Sequence, residues 1–168
     1  VIIPKHSFLV YEIISKLQNA KIITTKPDSN KSTDNYLGIN LESIIERITK
    51  KTKLIFIANP ANPTGTYIKL SKIEKFLKSV PKNISIIIDE AYYEYLNPNK
   101  NKSAVSLLKK YKNLFVTRSF SKMYGLASLR VGYGVSSPDN INKLRMYKQP
   151  FNTNNFAQNA ALLALKDH

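Results

Sequence analysis

The chain has 168 residues, 43% of them hydrophobic, which is enough for one domain with a buried core and too apolar for a disordered segment. Its formal charge is +15, from 26 Lys and Arg against 11 Asp and Glu, and it has no Cys. Disulfides, thiolate metal sites and Cys nucleophiles are therefore excluded, and two histidines, His6 and His168, are too few for a His-rich metal cluster. A positive surplus suits a nucleic-acid partner. Here, however, the basic residues are mostly Lys scattered beside Asn and Ile, not Arg clustered with stacking aromatics, which points to solvated faces and a field favouring anionic ligands. No apolar run approaches the ~20 residues of a membrane span. The opening "VIIPKH" lacks the charged start and long apolar body of a signal peptide. The glycosylation sequons at Asn30, Asn83 and Asn101 are accordingly read as chance, and a cytoplasmic protein is expected. The chain opens without Met and stops at "LLALKDH" inside a helix-like run, so both ends are expected to be cut.

Strand-like and helix-like segments alternate along the chain. "KIITT" (21–25) is short and β-branched, and the polar "TKPDSNKSTDNYLG" (25–38) is a surface loop. "LESIIERITK" (41–50) has apolar residues at helical spacing, and "KLIFIA" (53–58) is a continuous apolar run. "LSKIEKFLKSV" (70–80) predicts an amphipathic helix, "ISIIID" (84–89) a buried strand, and "NPNKNKS" (97–103) a second loop. "SAVSLLKKY" (103–111) predicts a helix and "NLFVTR" (113–118) another strand. After Gly134, "SSPDNINKLRMYKQ" begins with a Ser-Pro helix start, and "NNFAQNAALLALKDH" is an apolar-striped helix that could leave the domain. Continuous apolar strands separated by amphipathic helices imply a mainly parallel sheet covered on both faces, an α/β, three-layer αβα architecture.

In such a sheet, ligands bind at the carboxyl ends of the strands. "KLIFIA" runs into "NPANPTG", "ISIIID" into "DEAYYEY", and "NLFVTR" into "SFSK", so three strand ends deliver different polar groups to one rim. Asp89, ending an apolar strand, is partly desolvated and needs a donor or a cation beside it. A turn cap is the plainer role for Asp89 or Glu90, and Glu94 on the same segment weakens the case for Asp89 alone. In "NPANPTG" each Asn before Pro is held out of the helical region, which serves a rigid turn and also presents an amide; Asn62 is the better candidate, because Pro-Thr-Gly fixes its direction. Lys122 follows Ser119 and Ser121, which can bind an anion, and Arg130 could clamp a phosphate. By itself, a Lys after a Ser is commonplace in this chain. Together, the carboxylate, Tyr, amide, Lys and Ser/Arg anion site match the needs of pyridoxal phosphate: a Schiff-base lysine, an acid that keeps the pyridine nitrogen protonated, and a phosphate pocket.

"NPANPTG", "IIIDEAYYEY" and "TRSFSKMYGLASLRVGY" resemble, in order and spacing, the three signature segments of fold-type-I pyridoxal-phosphate aminotransferases, and within them the histidinol-phosphate aminotransferase family. "HSFLVYEI" and "PFNTNNFAQNAALLAL" resemble the same family, so the likeness covers nearly the whole chain. The resemblance implies that Lys122 binds the cofactor covalently and then moves a proton between the substrate Cα and the cofactor. By the same likeness Asp89 pairs with the pyridine nitrogen, Asn62 and Tyr92 bond the phenolic oxygen, and Phe8 stacks on the ring. Ser119, Ser121 and Arg130 would hold the phosphate.

Ala61, Met123 and Ser128 depart from the family's more usual Asn, Ala and Gly, and none of these removes a group the chemistry needs. A Gly-rich N-terminal segment and a C-terminal domain with a carboxylate-binding Arg are expected to lie outside this chain. Residues 1–150 would be the large cofactor-binding domain, incomplete at its N-terminus, and 151–168 the start of a connecting helix. The implied activity is amino transfer between glutamate and imidazole-acetol phosphate in histidine biosynthesis, by a homodimer acting on small molecules and not on nucleic acid or membranes. The alternatives are an aromatic-amino-acid aminotransferase, a threonine-phosphate decarboxylase-like enzyme, or, in another class, an inactive α/β binding module or a basic nucleic-acid binder that kept the fold.

Overall fold

A computed structural model describes residues 1–167. Its elements run β1 (Ile2–Pro4), α1 (Leu9–Leu17), β2 (Ile23–Thr25), α2 (Leu41–Glu46), β3 (Leu54–Ala58), α3 (Leu70–Ser79), β4 (Ser85–Asp89), β5 (Leu114–Ser119), β6 (Gly132–Val135), α4 (Pro138–Arg145) and α5 (Asn155–Ala164). The six strands form one sheet in the order β2-β1-β3-β4-β5-β6. The first five are parallel and β6 closes the edge antiparallel to β5.

The register gives the two faces of the sheet different work. Ile55 pairs with Ile86, Ile57 with Ile88, Ile86 with Leu114 and Ile88 with Val116, and all six of these side chains are buried. Each such side chain contributes about 1.5–3 kcal/mol on leaving water. This face is covered by the 3₁₀ turn Ala104–Leu107, which bonds Glu90, by α3 against that turn, and by α2 against α3. The residues between them, Phe56, Ile87, Asp89, Phe115 and Thr117, face the other way, where Tyr11 of α1 stacks on Phe56 with ring centroids 4.6 Å apart. Most of that second face is only half buried. Helices on opposite faces make the α/β layering expected from the pattern, with one layer complete and the other thin.

Local signals explain the helix starts. Asn40 caps α2 by accepting from Ser43 N–H (2.8 Å), Ser137 precedes Pro138 at the head of α4, and Asn154 caps α5 by accepting from Ala157 N–H (2.8 Å). In α3, Ile73, Phe76 and Leu77 form the buried stripe that the periodicity predicts.

Two expectations are corrected. The helix over 41–50 stops at Glu46, where Arg47 N–H bonds Ile44 O (3.1 Å) and Ile48 N–H bonds Ile45 O (3.1 Å), a tightened last turn. The helix over 103–111 is instead a four-residue 3₁₀ turn followed by further i→i+3 bonds, Leu108 N–H to Val105 O and Lys110 N–H to Leu107 O. Ala104 and Leu107 are still buried, with Leu108 and Tyr111 packed against the core, so the apolar spacing reported burial correctly and the backbone class wrongly. The competing influence is Glu90, whose carboxylate takes Ser103 Oγ–H and Ala104 N–H (both 2.7 Å) and pins the segment's first turn.

Candidate active site

Three adjacent strands, β3, β4 and β5, end on one rim, and the half-buried face of the sheet opens there. Phe8, Tyr11, Asn62, Asp89, Tyr92 and Lys122 line a single cavity, with Ala58, Pro60 and Ala91 completing its wall. A wider groove of about 460 Å³ adjoins it, sharing Asn62 and Tyr92 and bounded further out by Tyr95 and Leu96.

Asp89 is the last residue of β4. Its Oδ2 accepts from Tyr11 O–H at 2.6 Å, and its Oδ1 accepts from Thr117 Oγ1–H at 3.1 Å and Ala91 N–H at 3.2 Å. All three donors are neutral, so among the described residues the carboxylate is fixed without being matched by a cation. Tyr11 itself is buried, and its hydroxyl pKa is raised by desolvation first and by the Asp89 charge and hydrogen bond next. It therefore stays a donor.

The turn after β3 separates the two Asn-Pro steps by function. Asn59 is buried and closed on itself: its amide donates to Ile68 O (3.0 Å) and accepts from Ile68 N–H (2.7 Å). Asn62 instead points its amide at the Tyr92 hydroxyl (3.4 Å) on the cavity wall. Gly65, at φ 68, takes a conformation that side chains disfavour, and its N–H closes the turn on Ala61 O (2.8 Å). Preferring Asn62 over Asn59 as the presented amide agrees with this geometry.

Lys122 lies three residues beyond β5, with Nζ 5.4 Å from the centre of the Tyr92 ring. Phe8 stands at the head of α1, edge-on to Tyr11 with centroids 5.7 Å apart. Five of the eight sequence candidates, Phe8, Asn62, Asp89, Tyr92 and Lys122, thus meet in one cavity. Ser119, Ser121 and Arg130 are not in its lining: Ser119 Oγ accepts from Ser121 N–H (3.0 Å), and Arg130, in the left-handed region at φ 54, donates from Nη1 to Ala127 O (2.6 Å).

Sequence reasoning missed Tyr11 and Thr117. Tyr11 stands three residues after Phe8 on the same helical face, and Thr117 sits directly across from Asp89 in the β4–β5 register. Both become visible only when pairing is known. Glu90 and Glu94, which blurred the case for Asp89, are occupied elsewhere. Arg118 holds Glu90 through Nε (2.9 Å) and Nη2 (2.8 Å) and Glu94 through Nη1 (3.0 Å), and it packs 3.9 Å over the Tyr93 ring.

Among the described residues no helix is long and apolar enough to cross a membrane. The family described as aminotransferase class I and II matches residues 1–168. The chain is 43% identical over 167 residues to a histidinol-phosphate aminotransferase of Pelagibacter ubique, covering 99% of this chain and 44% of that protein. A solved histidinol-phosphate aminotransferase from Clostridium acetobutylicum superposes with a TM-score of 0.85 at 33% identity, over 99% of this chain and 48% of that one. L-threonine-O-3-phosphate decarboxylase from Porphyromonas gingivalis shares the fold, with a TM-score of 0.79 at 22% identity over 98% of this chain and 46% of that one. The chain spans about half the length of the curated relatives it matches. The family match spans the described fold from end to end, sequence and structural likeness point the same way, and the chain belongs to the class I and II aminotransferase family.

Proposed function

We propose that this chain is the cofactor-binding part of a pyridoxal-phosphate-dependent aminotransferase that exchanges an amino group between glutamate and imidazole-acetol phosphate in histidine biosynthesis. The observation that carries the reading is the single cavity where Lys122, Asp89, Asn62, Tyr92 and Phe8 converge at three neighbouring strand ends. Its donor set fits the cofactor. It offers a carboxylate held, among the described residues, by neutral donors, an amide and a phenol side by side, a primary amine and an aromatic wall.

When bound, pyridoxal phosphate supplies an electron sink for negative charge at the substrate Cα. Lys122 would hold it covalently and would move the Cα proton. Asp89 would accept from the ring nitrogen, while Asn62 and Tyr92 would bond the ring oxygen. Phe8 would pack on the ring and exclude water. Ser119, Ser121 and Arg130 would take the phosphate; among the described residues Arg130 spends one of its five N–H donors on Ala127.

The substrate assignment is supported by the names of relatives near 43% identity. The decarboxylase with the same fold supports, more weakly, a second reading as a decarboxylase of a phosphorylated amino acid. In the complete protein, residues 1–150 form the cofactor domain and 151–168 begin the link to a domain carrying the substrate-carboxylate Arg. The enzyme works as a homodimer in the cytoplasm. The exposed apolar face of α1, Leu9, Val10, Ile13, Ile14 and Leu17, supports a covering surface of this kind.

The test is an absorbance titration of the complete protein with pyridoxal phosphate beside Lys122→Ala, followed by borohydride reduction and peptide mapping. A visible band that becomes fixed on the Lys122 peptide, and is absent from the variant, supports the reading. Label spread over surface lysines would sink it in favour of an inactive binding module. Amino transfer from glutamate to imidazole-acetol phosphate, measured against aromatic keto acids and against decarboxylation of threonine phosphate, then decides the substrate.

A further inference from the structure

An ionised carboxylate has about four acceptor sites. In Asp89, Thr117 and Ala91 fill both on Oδ1, and Tyr11 fills one on Oδ2, so among the described residues a single acceptor site is left, on Oδ2. The donor that shares that oxygen is rigid. Tyr11 is 5% exposed, its ring lies parallel to Phe56 within 5°, and Phe8 meets it edge-on. A residue needed only for packing would require the ring, and Phe would serve. The hydroxyl instead reaches a carboxylate 78 positions away in sequence, across the layer between α1 and β4.

We propose that Tyr11 is a positioning residue that acts through Asp89: held flat on Phe56, its hydroxyl anchors Oδ2 and thereby aims the one remaining acceptor site at the ring nitrogen of the cofactor. This rests on the functional reading above. The Tyr11 hydroxyl is spent on Asp89, so its effect passes through that carboxylate. Without its hydroxyl, Asp89 is fixed at Oδ1 alone, Oδ2 gains a second open acceptor site, and the carboxylate meets the ring nitrogen in more than one orientation. The phenol's raised pKa, caused by burial and by Asp89, keeps the donor in place over the whole working pH range.

The experiment uses the complete protein with three changes: Tyr11→Phe, Thr117→Val, and 3-fluorotyrosine in place of Tyr11. Two quantities are read, the dissociation constant of pyridoxal phosphate and the nitrogen-15 resonance of its ring nitrogen as a function of pH, with melting of the cofactor-free protein as a control. Losing a hydrogen bond to a charged group weakens binding roughly tenfold to a hundredfold. Tyr11→Phe is therefore expected to raise the dissociation constant by that factor and to move the nitrogen resonance toward its unprotonated position, while melting stays within a few degrees of the parent. Thr117→Val leaves Oδ1 its Ala91 donor and gives the smaller effect. The fluorinated phenol, a stronger donor with the same ring, shifts the nitrogen resonance in the opposite sense, and it remains decisive if Tyr11→Phe does not fold. Parental affinity and an unmoved resonance in Tyr11→Phe overturn the proposal, as does a larger effect from Thr117→Val. If the parent protein forms no band on Lys122, the functional reading fails and this inference with it; a parent that binds normally isolates the failure to Tyr11.

Discussion

Asp89 ends β4 and Glu90 follows it directly, its N–H bonded to Thr117 O, so the alternation of the strand carries on by one residue and sends the two to opposite faces. Glu90, 2% exposed, lies on the fully covered face, where its four contacts include the guanidinium of Arg118. Asp89 lies on the thin face with three neutral donors and forms no ion pair among the described residues. Both carboxylates are well bonded, so hydrogen-bond satisfaction does not distinguish structure from function here. Charge does: the protein answers Glu90 with its own cation, and on the proposed function the cofactor is what answers Asp89. Each has its cross-strand companion, Thr117 for Asp89 and Arg118 for Glu90.

Removing charge from each carboxylate in turn tests this contrast most directly. Asp89→Asn is expected to lower turnover of the complete enzyme by about a hundredfold to a thousandfold, as loss of a preorganised electrostatic partner does. Its urea midpoint should stay near that of the parent; a collapse in stability would show that Asp89 is a structural carboxylate after all. On the other face, Arg118→Met leaves Glu90 buried without its cation, and such a break costs about 3–5 kcal/mol. Denaturant unfolding measures it, and pairing the change with Glu90→Leu should recover part of the loss. A smaller division of labour exists in the turn after β3. Asn59→Ala removes both bonds to Ile68 and should destabilise by about 1–3 kcal/mol. Asn62→Ala should stay within about 0.5 kcal/mol of the parent and instead weaken cofactor binding. If the two variants behave alike, the distinction between the Asn-Pro steps fails.

The smallest effect is one of pH. The Tyr11 phenol has a folded-state pKa above its unfolded value of 10.0. Its contribution is then fully present below pH 10. Above that, the unfolded chain ionises first and stability falls by up to about 1.4 kcal/mol per pH unit. Unfolding curves taken between neutral pH and the alkaline range should show Tyr11→Phe with a shallower alkaline decline than the parent. An identical slope would mean that the Tyr11–Asp89 contact is not maintained in solution.

Much of this was legible in the sequence wherever one residue pattern answered one physical demand. The runs at 53–58, 84–89 and 113–118 are continuous because the strands are central and parallel, and each lies within one residue of its structural bounds. That polar groups would gather at one rim was legible because polar residues follow those runs directly. β1 and β6 were not read as strands: the first is three residues ending in Pro, and the second, "GYGV", carries two glycines and an exposed surface. Gly132 is required there because an added Cβ would come within 2.7 Å of Arg118 O, a packing demand that the sequence does not express. α1 was hidden for a different reason. Its apolar residues Leu9, Val10, Ile13, Ile14 and Leu17 are exposed, while Tyr11 and Ser15 are the buried ones, so its stripe advertises the face turned away from the site. Tyr11 and Thr117 needed a partner's position before their roles could be seen, and local pattern carries no such information.

The register of β5 against β4 has a consequence for how this sequence can change over generations. Ile88 meets Val116 and Asp89 meets Thr117 through backbone bonds that ignore side-chain identity. Point substitutions along β5 therefore alter one contact each, and selection can try them singly. A one-residue insertion or deletion inside the strand is a different kind of event. It would carry Thr117 to the covered side and the guanidinium of Arg118 to the open one, pairing it with Asp89 while stranding Glu90 in the core. Length variation in this region is consequently expected to fall in the loop at 97–103 and in the link between β6 and α4, with the segment from Leu114 to Ser119 held at constant length even where its residues drift.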